Sequence, residues 1–581
     1  MTKATLVLIV VGLLAGLASP TPAGAAANFV VQGTLLDIGN NLPISGACIS
    51  LGPPTFCIAA SDASGTYRYE VPPFSTVQYD MYWNKEGYQQ GYSGPFTVNG
   101  TATFKNWLFP GPSSCPHGGG SANTTVYLPN ITKTLGGPNG FYTPFIIQNV
   151  SLGTITALHI DLYRFSDGAL IASRDACAVR PGTSYALVPN FMSDLPDSSQ
   201  FSVVVQSFMA PVVGVVNEHA GTGARAEAAS YTGATSGAAS VFLPNIVRRF
   251  FGFHTPFIIQ NLGTVQTTAT VSLVSFDGTK TATIQRVIDP GRSQFVEPNI
   301  ESSLADGTQY GATVTSAQPI SVVVNTHNDD PGVAAPLVYA TNGFTAGSTA
   351  LQGPYIAKGV PGVGRGTSTL VVQNMGQAAA TPTVAFTPLG GGTATTFTGP
   401  PIAGGRSWAF DTRYTNGDVT QPFCGTTVGN GCLADGEYSL VVSAPLGSQL
   451  AAVVNIFSAT TGDGYAMLAA TTPTVYLPNV TKTLGGADGW TTPLVLQSVT
   501  ATTVTVSWYR FSDGTLVTQQ TLSMTPGTAQ RIDPRDLAQL PDNTQFSVVA
   551  IGAGGGTLAG IVTELNFQGG DGAMIYGGFA R

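Results

Sequence analysis

The chain has 581 residues, of which 31 are acidic and 23 basic, so charged side chains make up 9% against about 25% in an ordinary globular domain. That scarcity excludes a polyelectrolyte disordered chain and a basic nucleic-acid binder. Glycine (71) and proline (39) are abundant, yet the 43% hydrophobic content is enough for several cores, and the length predicts about four domains.

Residues 1–25 open on Met1-Thr2-Lys3, continue as an apolar run from Ala4 to Ala18 and close on Ala23-Gly24-Ala25-Ala26-Ala27. This pattern predicts a signal peptide cleaved after Ala25 or Ala27. No later run of about 18 apolar residues follows, so no transmembrane segment is expected in the mature chain. Six cysteines remain, an even number in an exported chain, which predicts disulfides. Spacing favours Cys48–Cys57 and Cys424–Cys432, and Cys115–Cys177 follows by elimination. No cluster has metal-ligand spacing, so no metal and no cofactor is expected.

Residues 28–110 stand apart from the rest. They carry Gly33, a Pro43-Ile-Ser-Gly-Ala47 turn into a strand, Ser61-Asp62-Ala-Ser-Gly65-Thr-Tyr67, Val71-Pro72 and Lys85-Glu-Gly87-Tyr88. On these residues the segment resembles the carboxypeptidase regulatory-like (transthyretin-like) domain. The resemblance implies a small seven-stranded β-sandwich, an accessory without catalytic residues, common in secreted and cell-surface proteins. Two features depart from that pattern: the added Cys48 and Cys57, and Pro72-Pro73-Phe74 in place of the usual proline-glycine. A linker is expected over 111–122.

Four copies of one repeat follow. VYLPNITKTLGGPNGFYTPFIIQN (126–149) matches VYLPNVTKTLGGADGWTTPLVLQS (475–498), with a shortened form at 241–261 and a diverged one from Gly353 to Asn374. Later landmarks recur in the same order: LYRFSDG (162–168) with WYRFSDG (508–514), and LPDSSQF (195–201) with LPDNTQF (540–546). The repeats are expected at 123–236, 237–346, 347–471 and 472–581. Apolar Leu158, Ile160 and Leu162 alternate with His159, Asp161 and Tyr163, the period of a half-buried strand. Asp167-Gly168, Asp277-Gly278 and Asp513-Gly514 follow such strands, where a hairpin needs positive φ. The expected fold class is all-β, a tandem array of β-sandwich-like modules. The repeat style is similar to that of large secreted bacterial proteins of unknown function.

Candidate chemistry is sparse. His219 and His327 share a position two residues after Asn217 and Asn325, but the third copy carries Phe457 there and the fourth is read as Asn566, which favours a strand-end histidine over a catalytic one. Gly359–Gly366 lacks the lysine of a phosphate loop. Neither Asp329-Asp330 beside Asn328 nor Asp37 with Asn40-Asn41 has calcium-loop spacing. Asp167, Asp197, Asp513 and Asp542 recur in turn motifs, and a catalytic pair is needed only once. Aromatics are the better lead. Phe141 and Tyr142, Phe250, Phe251 and Phe253, and Trp490 fall in the same loop of three copies, as ligand contacts or as packing between repeats. Sequons occur at Asn99, Asn123, Asn130, Asn149 and Asn479.

The sequence therefore predicts a non-enzymatic secreted or cell-surface protein, an extended array serving adhesion, matrix or surface assembly. Expected partners are polysaccharide or surface proteins, with self-association and without nucleic acid. A carbohydrate-binding array is the alternative, and an enzyme with an unrecognised site a third.

Overall fold

In the computed structural model the described residues are 28–580, except 38–40, 52–56, 73–77, 89, 109–121, 152, 329–335, 426–427, 470–471, 502 and 512–513. The expected signal peptide, the linker up to residue 121, Asn40, Cys115, Asp329-Asp330 and Asp513 lie outside them. No helix among the described residues is long and apolar enough to cross a membrane.

Alternation of buried and exposed side chains fixes the first unit. Its strands are β1 (Phe29–Asp37), β2 (Cys48–Leu51), β3 (Ala59–Ala60), β4 (Thr66–Val71), β5 (Gln78–Asn84), β6 (Gly91–Thr97) and β7 (Thr101–Leu108). They form sheets β4-β1-β7 and β3-β2-β5-β6. Tyr67, Trp83 and Met81 fill the space between them. A Cβ on Gly33 would lie 2.6 Å from the Tyr67 hydroxyl, so only glycine fits beneath that ring. Cys48 and Cys57 are bridged across this unit.

The first repeat comprises β8 (Thr124–Lys133), β9 (Phe145–Asn149), β10 (Thr156–Arg164), β11 (Leu170–Val179), β12 (Ser184–Leu187), β13 (Ser199–Ser207), β14 (Val212–Ala220) and β15 (Glu227–Thr232). Its sheets are β11-β10-β13-β8 and β12-β9-β14-β15. Val203, Val205, Leu158, Ile160 and Phe145 point between them and are fully buried. Gly168, Gly278 and Gly514 take φ of 71°, 74° and 72°, as those hairpins require.

The other repeats use the same plan with local changes. In the second, the counterparts of β13 and β14 merge into one strand, Thr308–Asn328, that serves both sheets. The third carries an inserted loop closed by the Cys424–Cys432 disulfide. The fourth adds Phe579–Ala580 beside Thr474–Lys482. The chain is thus an all-β tandem array of sandwiches.

The array does not string out, contrary to the extended form expected from sequence. The last strands of the repeats pack in a closed cycle: β15 beside Leu337–Asn342, then Gly462–Ala466, then Ala573–Gly577, which returns to β15. Each repeat's glycine hairpin also rests on a turn of the next. Arg292 stacks over the Tyr163 ring at 3.9 Å, and Arg406 donates to the Phe276 carbonyl. The Gly390 amide donates to Ala529 O at 2.9 Å. The fourth repeat closes on the first, where Ser547 Oγ donates to Gly182 O at 2.7 Å. A head-to-tail contact repeated through a rotation that closes makes a ring. The first unit docks on its outside, where Arg180 donates to Ala60 O (2.7 Å) and Tyr185 to Glu86 (3.0 Å).

Candidate functional site: the seams of the ring

The recurrent Leu-Pro-Asn element builds the seams. Pro129 interrupts the pairing of β8 with β13, leaving a register shift opposite Phe201 to Val203. The freed amide and carbonyl of Asn130 are both bonded by the Tyr231 hydroxyl, at 3.1 and 2.7 Å. Tyr465 does the same for Tyr355, and Tyr576 for Asn479. The second repeat has Thr341 at this position, and a cavity of about 10 Å³ lined by Asn245 and Thr341 remains there.

The Asn130 side chain then reaches the centre. Gln200 donates to its oxygen (2.7 Å), and its amide donates to Glu218 Oε1 (2.8 Å). Glu218 Oε2 accepts from Asn325 of the next repeat at 2.9 Å. The fourth repeat copies this chain: Gln545 to Asn479, Asn479 to Glu564, and Asn217 of the first repeat to Glu564 at 2.8 Å. Burial pushes the Glu218 carboxyl up to about 7 and that of Glu564 up to about 8. Near them Asp463 and Asp571 are raised well above the usual carboxylate range, again chiefly by burial. Asp571 accepts backbone amides of Val338 and Gly462 from two other repeats.

The candidate aromatic residues meet the histidine position of the neighbouring repeat. Phe141 lies edge-on to His327 at 5.6 Å, Phe253 packs on Phe457 at 5.3 Å, and Trp490 on His219 at 5.2 Å. Tyr142 covers the other side of His219, whose burial lowers its pKa to about 4. Phe250 contacts Phe251, and Phe251 is 85% exposed. Strand register places Leu565, not Asn566, at the position of His219, because Val216 and Val562 occupy equivalent places opposite Phe145 and Leu494. An apolar residue there suits the packing role.

The seam between repeats 1 and 2 opens into a cavity of about 220 Å³. His254 replaces the tyrosine found at position 142 and stacks on His327 at 5.5 Å. Glu297, 4.0 Å from His254, shares the wall with Phe141, Phe295 and Glu218.

The lysines of the Thr-Lys element were not singled out from sequence. Lys133 Nζ donates to Met192 O (2.9 Å) and Leu195 O (2.8 Å) and pairs with Asp197 (3.1 Å). Lys482 repeats this with Leu537, Leu540 and Asp542. Their common recurrence with the Leu-Pro-Asp landmark was the available signal. Asp197 and Asp542 thus serve turn geometry, and Asp167 is held low in pKa by Arg164 beside it. Asp37 accepts from the Tyr88 hydroxyl at 2.6 Å. Among the described residues no group of three His, Cys, Asp or Glu side chains is placed to hold a metal.

No family model matches the chain, and no curated protein matches it. Solved structures with partial likeness include Thermotoga maritima 1070, 18% identical over 19% of this chain and 94% of that one, with a TM-score of 0.17. The major pilin subunit BcpA of Bacillus cereus is 10% identical, over 51% of this chain and 87% of its own, with a TM-score of 0.11. The RrgB pilus protein of Streptococcus pneumoniae is 8% identical, over 76% and 93%, with a TM-score of 0.13. Scores this low carry no shared overall arrangement.

Proposed function

We propose that the chain is an exported, non-enzymatic surface protein whose four-repeat ring acts as one rigid adhesion or assembly unit. The N-terminal sandwich, read as a carboxypeptidase regulatory-like accessory domain, rides on its outside. The observation that carries this reading is the use made of the reactive groups. Glu218 accepts an amide of Asn130 in its own repeat on one oxygen and of Asn325 in the next repeat on the other. His219 packs against Tyr142 and Trp490 and keeps only a partly exposed edge. The leader-like first 25 residues and the two described disulfides support export. The test is a screen of purified mature chain against immobilised glycans, matrix proteins and cell surfaces. Saturable binding to one class supports the reading, and single-residue labelling by hydrolase probes contradicts it.

A second reading, carbohydrate binding, draws on the cavity between repeats 1 and 2. Its two carboxylates, paired histidines and the rings of Phe141 and Phe295 offer hydrogen bonds and a stacking wall to a sugar. Glycan-array binding lost on Phe295→Ala and Glu297→Gln would favour it over the first reading.

A further inference from the structure

Leu187, Val296, Phe410 and Ile532 hold equivalent places in the four repeats, paired with Phe145, Phe257, Leu370 and Leu494. The next residue is an acid in three of them: Glu297, Asp411 and Asp533, with Val188 in repeat 1. Each acid closes a turn by accepting the amide two residues on. Glu297 Oε1 accepts from Asn299 at 2.9 Å, Asp411 from Arg413 and Asp533 from Arg535, both at 3.0 Å. In repeats 3 and 4 that second residue is an arginine, whose guanidinium also pairs with the acid at 2.7 Å. Repeat 2 has Asn299 instead. Glu297 Oε2 is left without a hydrogen-bond donor among the described residues, and His254 Nε2, at 4.0 Å, is beyond hydrogen-bond reach.

The seam that Glu297 faces lacks a cation for a second, independent reason. By strand register, Arg531 of repeat 4 stands where repeat 2 has Phe295, and Glu437 of repeat 3 where repeat 1 has Gln200. Between repeats 3 and 4, Arg531 and Arg365 both reach Glu437, at 3.4 and 3.2 Å. That seam is filled by charge pairs from the chain itself. Between repeats 1 and 2, no lysine or arginine is among the residues lining the 220 Å³ cavity, which include Glu297 and Glu218. Both oxygens of Glu218 already accept amides, so the open carboxylate oxygen is that of Glu297.

A largely buried carboxylate is costly without a partner charge, and an occupant bearing an ammonium supplies one. The Glu297 side chain is 17% exposed, and Phe295 on the same wall is 39% exposed, so the cavity is reached from solvent. Its volume lies below the roughly 300 Å³ at which drug-sized pockets begin, which suits a single small ring. Phe141 and Phe295 offer ring faces for stacking and for an ammonium. Asn325, buried on the same wall, has a side-chain oxygen without a donor, and a sugar hydroxyl is a donor of the right kind. A lysine side chain would match Glu297 but brings neither hydroxyl nor ring.

We infer that the cavity between repeats 1 and 2 takes a protonated amino sugar, with its ammonium on Glu297 Oε2 and its ring against Phe141 and Phe295. The inference rests on the second reading above, in which this cavity binds a sugar, and names the class of sugar.

The test is calorimetric titration of the purified mature chain with a glucosamine dimer, its N-acetylated counterpart and a lysine-containing peptide. The free-amine dimer should bind, and the acetylated one about tenfold more weakly, since it has no charge for Glu297. Glu297→Gln keeps an oxygen for the Asn299 amide, and Asn299→Arg supplies the arginine that repeats 3 and 4 carry. Each should bring free-amine binding down to the acetylated level without lowering the thermal midpoint. Equal binding of the two dimers by the unaltered chain overturns the inference and leaves the sugar reading standing. Absence of binding by either dimer overturns both. A preference for free amine that both variants retain would reflect the net charge of −8 and overturns the inference, as does tighter binding of the peptide, which assigns the cavity to proteins.

Discussion

Asn217 in the first repeat donates a 2.8 Å hydrogen bond to Glu564 in the fourth, across 347 residues of chain. That bond joins the end of the repeat series to its beginning, and Asn325 with Glu218 makes the same bond between repeats 1 and 2. By strand register Asn455 and Thr563 occupy the equivalent place in repeats 3 and 4, and Thr326 and Ile456 stand where the other two repeats have a glutamate. The ring therefore carries an asparagine–glutamate lock at two seams, while bonds such as Gln373 to Ala312 O and the Arg531–Glu437 pair hold the other two.

Asn217→Ala should open one lock. It removes a donor from a buried carboxylate and should cost about 1–3 kcal/mol. Hydrogen exchange should rise in Val212–Ala220 and Leu558–Leu565 while the 2–3 seam stays protected. Uniform loosening of all four repeats would contradict this.

The buried carboxyls make stability fall as pH rises. Glu218 and Glu564 titrate near 7 and 8 in the folded chain, against an ordinary 4.5. Between those limits the folded state holds protons that the unfolded chain has released, so alkaline conditions favour unfolding. Asp277, lowered to about 2 by bonds from Ser275 and Thr279, acts in the opposite sense, and only as pH falls below about 4. The thermal midpoint is expected to be higher at pH 5.5 than at 8.5, and Glu564→Gln should flatten that slope. A midpoint that rises between those values would count against the buried acids.

Tyr576→Phe should leave the amide and carbonyl of Asn479 without their shared partner. The expected cost is about 1–3 kcal/mol, read as faster amide exchange at Asn479 and a lower midpoint. The same change at Tyr231 should act at Asn130, and Thr341→Phe in the second repeat should show no such loss of a hydroxyl contact.

Expression in a glycosylating host separates the sequons. Asn130, Asn149 and Asn479 are buried with their amides donating hydrogen bonds, whereas Asn99 and Asn123 are exposed. Peptide mapping should find glycan at Asn99 or Asn123 and none at the other three on folded protein.

The strands were legible because period two survives in each repeat, as in Leu158 to Leu162, and because Asp-Gly pairs mark their hairpins. The seams were not. Glu218 and Glu564 recur in only two copies, and the partners that explain them, Asn325 and Asn217, lie in other repeats. Phe141, Phe253 and Trp490 read equally as ligand contacts or packing until the residue across the seam, His327, Phe457 or His219, is placed. Closure depends on a rotation between neighbours, which side-chain periodicity within one repeat does not encode. The scarcity of charge has a location as well: Lys133, Arg248, Lys358 and Lys482 are tied to turn carbonyls.

Closure of the ring is tested most directly by electron microscopy of the purified mature chain. Class averages should show four lobes around a common axis with one smaller lobe on the outside. A beaded string of five separate domains would contradict the account.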